Sequence, residues 1–82
     1  MLNPLGPNCN EVIDSKGTTV LISYRTPVAA FIPGKGVIQT SKRWSNTTSR
    51  HISKWLKQFS PNVTLNLVDQ SILDQYQITV SA

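Results

Sequence analysis

The sequence has very few of the residues that reactive or cross-linked sites depend on. Among its 82 residues there is one cysteine and one histidine. A single cysteine cannot close an intramolecular disulfide, so the chain is not a disulfide-stapled secreted scaffold. Cys9 and His51 together cannot build a typical zinc site, and no cofactor or metal is expected. Acidic residues are scarce too, four against eight Lys and Arg, which leaves a net charge of +4. Charged residues make up only 15% of the chain. That share excludes a highly charged disordered tail and a long charged coiled coil. No apolar run approaches the roughly 18 residues that a membrane-spanning helix needs. The opening Met1-Leu2-Asn3-Pro4-Leu5-Gly6-Pro7-Asn8-Cys9 has neither the basic nor the apolar stretch of a secretory signal. A reducing, cytoplasmic setting is the expectation, with no membrane partner. Asn46-Thr47-Thr48 and Asn62-Val63-Thr64 fit the glycosylation pattern, and without an export signal both read as chance matches. Cys9 reads as an inert thiol, because no basic residue lies within six positions to lower its pKa.

What remains predicts one small α+β domain spanning residues 1–82. Residues 1–10, with two prolines, a glycine and three asparagines, read as a loose lead-in. Short strands are predicted at Glu11 to Ser15 and Thr18 to Tyr24. In the second, Val20, Ile22 and Tyr24 would share one face, and Leu21 and Ser23 the other. Pro27 opens a further strand through Val28 to Ile32. The turn Pro33-Gly34-Lys35-Gly36 then returns the chain along Val37 to Thr40. After this the period changes. Ile52, Trp55, Leu56 and Phe59 recur at i, i+3, i+4 and i+7, the pattern of an amphipathic helix between Ser45 and Phe59. Ser45, Asn46 or Thr47 can cap its start, and Ser60-Pro61 stops it. Val63, Leu65 and Leu67 alternate as a strand. Asp69 can cap a short helix carrying Ile72, Leu73 and Tyr76, and Ile78 and Val80 suggest a weak last strand or packed tail. The expected fold is an antiparallel β-meander of four to five strands. One main amphipathic helix packs on a face, with a short second helix near the C-terminus.

The charge is concentrated. Lys42, Arg43, Arg50, Lys54 and Lys57 occupy one segment with no acid among them, while the rest of the chain has three basic residues against four acidic ones. Arg50, Lys54 and Lys57 fall at i, i+4 and i+7, on the helix face opposite the apolar stripe. A basic ridge of this kind attracts phosphates, although a lysine-bearing helix face is often only a solvated surface. The helix N-terminus, with the hydroxyls of Ser45, Thr47 and Thr48, offers a candidate seat for a single phosphate. Trp44 is a candidate base-stacking residue or an anchor at the helix entrance, and Trp55 is core. Tyr24 and Phe31, in strands, are expected in the core.

The signals for catalysis are weak. His51 stands near Ser49 and Ser53 in sequence, but no carboxylate is placed to orient it, and a triad needs all three roles in contact. Gly34-Lys35-Gly36 is too short for a phosphate loop. The expectation is a protein that is not an enzyme.

Ser23-Tyr24-Arg25-Thr26-Pro27-Val28-Ala29-Ala30, followed by Trp44-Ser45-Asn46-Thr47-Thr48-Ser49-Arg50-His51-Ile52, resembles a family of short uncharacterised proteins encoded by phages and plasmids. The resemblance covers residues 18–57 and rests on polar positions at fixed spacing. It implies a mobile-element context and a compact meander with a helix, and it brings no activity. Tyr24, Thr26, Ser45, Thr47, Thr48 and His51 could form a hydrogen-bonded corner locking helix to sheet, or a recognition site. The leading functional expectation is a small accessory protein that binds the DNA or RNA backbone non-specifically. The alternatives are a modulator docking on an acidic host-protein surface, and a structural or oligomeric virion component, with a homodimer possible in either case.

Overall fold

The computed structural model describes residues 2–76. In chain order the elements are β1 (Leu2–Gly6), β2 (Cys9–Ile13), β3 (Thr19–Ser23), β4 (Thr26–Ile32), β5 (Gly36–Thr40), α1 (Asn46–Leu56), β6 (Leu65–Val68) and α2 (Gln70–Asp74). The strands form one six-stranded sheet in sequential order. β1 to β5 pair antiparallel, and β6 pairs parallel to β5.

This corrects the expected four-to-five-stranded antiparallel meander: the sheet is six-stranded and mixed, with two short helices. The extra strand is β1, in the segment read as a loose lead-in. Its five residues are all exposed, and it pairs only with β2, at the sheet edge, where a proline costs little. The parallel strand is β6. A parallel return needs a crossover, and α1 supplies it. The proposed last strand around Ile78 and Val80 lies outside the described residues.

Strand alternation gives the sheet two apolar faces. Cys9, Leu21, Val28, Ala29 and Val37 meet Ile52 and Trp55 of α1, with Phe31, Leu56, Phe59 and Val63 around them. Val12, Val20, Ile22 and Ala30 meet Leu73 of α2, with Ile38, Val68 and Tyr76 at the margin. The split of Val20 and Ile22 from Leu21 and Ser23 follows the expected period. Tyr24 departs from it. It stands in the tight turn between β3 and β4 with φ of 59°, and its side chain is 50% exposed, so it is not core. Asp69 caps α2 as the sequence predicts, accepting from the Ser71 amide, and the bonds from Ser71 hold its carboxyl below the usual range.

Gly36 sets how closely β5 and β6 approach. The Val37 amide donates to the Thr64 carbonyl at 2.7 Å. A Cβ on Gly36 would stand 2.5 Å from that same oxygen, and φ there is +109°. Gly36→Ala is therefore expected to cost more than about 1 kcal/mol. Urea denaturation checks this, and an unchanged midpoint would contradict it.

Candidate nucleic-acid interface

Helix α1 is fixed on the sheet by apolar contacts and by a polar seam. Ile52 and Trp55 are buried on its inner side. Beside them the Ser23 hydroxyl, on β3, lies 2.8 Å from Thr48 Oγ1 and 2.8 Å from His51 Nδ1. One turn further on, Trp55 Nε1 donates to Glu11 Oε2 of β2 at 3.0 Å. Glu11 also accepts from the Asn3 amide at 2.8 Å, which ties β1 into the same network. Part of the polar motif of the sequence forms a hydrogen-bonded corner: Ser45, Thr48 and His51 are linked through Ser23 in one chain of contacts. The Tyr24 ring lies tilted against His51 at 6.3 Å. Ser23 is only 2% exposed and shares its oxygen with Thr48, so the Ser23–His51 pair is a tie and not an accessible nucleophile.

The corner changes the roles of several candidate residues. Ser45 is the N-cap, accepting from the Thr48 amide at 3.1 Å. Thr48 is 4% exposed with its hydroxyl turned toward the sheet. Of the three hydroxyls read as a phosphate seat at the helix start, that of Ser45 is used in the cap and that of Thr48 in the corner, while Thr47 is exposed. Trp44 donates from Nε1 to Gln70 of α2 at 3.1 Å, and Lys42 Nζ sits 4.0 Å from its ring centroid. Both contacts lie at the helix entrance. Arg43 donates to Asn46 Oδ1 at 2.9 Å.

Arg50, Lys54 and Lys57 are exposed on the outer side of α1, where the helical phase puts them. They line a shallow hollow together with Ser49 and Ser53. A second hollow, toward β5 and β6, includes Lys42, Arg43, Trp44, Ser49, Ser53 and Leu67. Ser49 and Ser53 belong to both, so the loop cations and the helix cations lie along one continuous track. The two serines were not among the sequence candidates as binding residues. Their helical phase, between the basic ridge and the entrance loop, is the signal that could have found them.

No acid offsets this track. Among the described residues no ion pair forms, and each carboxylate is occupied by a neutral donor. Glu11 holds Trp55 and Asn3, Asp14 accepts from the Lys16 and Thr18 amides, Asp69 caps α2, and Asp74 accepts from Gln70.

On the other side of α1 a groove runs between the helix and the β1–β2 turn, lined by Leu5, Pro7, Cys9, His51, Lys54 and Trp55. Burial pushes the Cys9 thiol above its usual pKa; Lys54 opposes this and Glu11 adds to it. No group of three or more His, Cys, Asp and Glu side chains suited to a metal occurs among the described residues. No helix among them is long and apolar enough to cross a membrane.

A small sheet carrying a basic crossover helix is the class that fold and site define. The model of a family of unknown function, DUF8033, matches residues 2–75, and the chain belongs to that family. No curated protein and no solved structure matches the chain.

Two outcomes test the site's framework. Ser23→Ala removes the shared partner of Thr48 and His51 and should cost about 1–3 kcal/mol in urea denaturation. Cys9 is 7% exposed, and its raised pKa leaves less thiolate at neutral pH. Native protein should therefore react with a thiol reagent far more slowly than protein in denaturant, and equal rates would contradict its burial.

Proposed function

We propose that the protein binds nucleic acid through the phosphate backbone, using the outer face of α1. One observation carries the reading. Five cations, Lys42, Arg43, Arg50, Lys54 and Lys57, flank a strip marked by Ser49 and Ser53, and among the described residues no carboxylate is spent on any of them. Unpaired cations on a rigid helix meet phosphates with little reorganisation, and the serine hydroxyls add hydrogen bonds. Such contacts fix position on the backbone and carry no base code, so binding is largely independent of sequence. A phage- or plasmid-encoded accessory protein acting in a host cytoplasm, the context that the motif resemblance implies, is part of the same reading. The anchoring contacts of Trp44 leave its ring a secondary role.

The test is fluorescence anisotropy with labelled single- and double-stranded DNA and RNA, titrated across salt. Each neutralised phosphate contributes about −0.9 to the slope of log K against log salt on duplex DNA, so three to five contacts give a slope between about −2.7 and about −4.5. Replacing Arg50, Lys54 and Lys57 together with Gln should flatten that slope by about three. Absence of binding at low salt, or a slope that the triple variant leaves unchanged, would overturn the proposal.

A further inference from the structure

The two edges of the sheet are built differently. At the β1 edge Pro4 lacks an amide hydrogen, and the register slips between Pro4 and Gly6. Proline and irregular register are devices that block strand addition. At the other edge β6 has the sequence Leu-Asn-Leu-Val, with no proline and no register shift against β5. From Gln58 to Val68 there is no charged residue, in a chain of net charge +4.

The backbone of β6 faces outward in a defined way. The Val37 amide donates to the Thr64 carbonyl, and the Ser41 amide to the Val68 carbonyl. In a parallel ladder alternate residues point toward the same neighbour, so Thr64, Asn66 and Val68 serve β5. The N–H and C=O groups of Leu65 and Leu67 therefore point away from the sheet. Their side chains share a face with Val37 and Gln39, the α1 side. The apolar cluster under α1 draws on β2, β3, β4 and β5 and takes nothing from β6. Leu65 is left 46% exposed and Leu67 66% exposed.

We infer that β6 pairs antiparallel with β6 of a second copy of this chain, about a two-fold axis through Asn66. The register closes on itself. Leu65 lies opposite Leu67 of the second copy, and those are the residues whose backbone groups point outward, so each pair exchanges two hydrogen bonds. Asn66 faces Asn66 of the second copy in the non-hydrogen-bonded position. All four leucines fall on one face and cover one another. The uncharged rim lets two basic chains meet without bringing like charges together. A four-residue edge buries less than the roughly 1,200 Å² of a stable interface, so the dimer is weak and concentration-dependent. The axis is perpendicular to the sheet, which puts both α1 helices on the same side of a continuous twelve-stranded sheet, twice the six strands of one copy. This pairing goes beyond the nucleic-acid reading and stands without it.

The test is Asn66→Cys under mild oxidation, with Lys16→Cys, on the exposed β2–β3 turn, as control. Paired Asn66 positions have Cα atoms about 4.5 Å apart, within disulfide range. Native Cys9 is buried and does not compete. The expected result is a covalent dimer forming at least about tenfold faster from Asn66→Cys than from the control, slowed about tenfold by adding Leu67→Lys. Sedimentation of the unmodified protein should show a dimer that grows with concentration and is lost in Leu67→Lys. A monomer at every concentration, cross-linking no faster than the control, or cross-linking indifferent to Leu67→Lys would each overturn the pairing. None of these readouts involves nucleic acid, so failure here leaves the ridge proposal intact, and failure of the ridge leaves this one intact.

Discussion

The rotation of α1 about its own axis is the constraint on which the rest of the site depends. An apolar stripe of Ile52, Trp55 and Phe59 holds a helix to a sheet but tolerates some roll, because apolar burial has no direction. Hydrogen bonds have direction. Thr48, His51 and Trp55 lie at i, i+3 and i+7, and each meets a buried polar group on the sheet, Ser23 for the first two and Glu11 for the third. Turning the helix away from this setting would strand the partners on both sides, and a buried group left unpaired costs about 1–3 kcal/mol. With the inner face fixed, Arg50, Lys54 and Lys57 have one available direction, outward. The cap by Ser45 and the contact of Trp44 with Gln70 fix the entrance of the same helix against α2 on the opposite face of the sheet.

The helix, its cap region and its basic face were legible in the sequence because each rests on local spacing. So were β3, β4 and β5, whose β-branched runs and glycine turn carry strong local signals. β1 was not, because Pro4, Pro7 and Asn8 are turn residues in most settings and only edge position makes them compatible with a strand. The strand character of β6 was legible from the alternation of Leu65 and Leu67, but its parallel direction was not. Direction depends on where α1 delivers the chain, which is a tertiary matter. Both leucines are exposed because α1 crosses the other strands, which alternation alone does not reveal. Tyr24 was placed in the core by period alone; a two-residue turn with positive φ interrupted that period one residue earlier.

The candidate site was legible in part. Sequence phase put the cations on one face, and the fold keeps them there. Phase could not separate hydroxyls that face solvent from hydroxyls that face the sheet. Ser45 and Thr48 have the composition of a phosphate seat, and the same composition suits a cap and a corner. What decided between them was Ser23, twenty-five residues before Thr48 in the chain, whose oxygen reaches Thr48. Ser49 and Ser53 went the other way, noted in sequence only as neighbours of His51 and brought between two basic hollows by the fold.

The four carboxylates explain why so modest an excess of charge remains available at the surface. Four acids could in principle have neutralised half of the eight cations. Each instead accepts from a neutral donor at a place where the backbone, a side-chain amide or an indole needs an acceptor: the β2–β3 turn, the start of α2, the Gln70 side chain that also reaches the Pro27 carbonyl, and the buried Trp55. Exchanging these roles would not be neutral. An acid moved onto α1 would gain only a surface pair, worth about 0–1 kcal/mol, while the donor it left behind would lose its partner, at greater cost where that donor is buried. Stability and surface charge are thus set by one allocation. Among the described residues the carboxylates are committed to holding local structure, and none of them is a counterpart for the cations of α1.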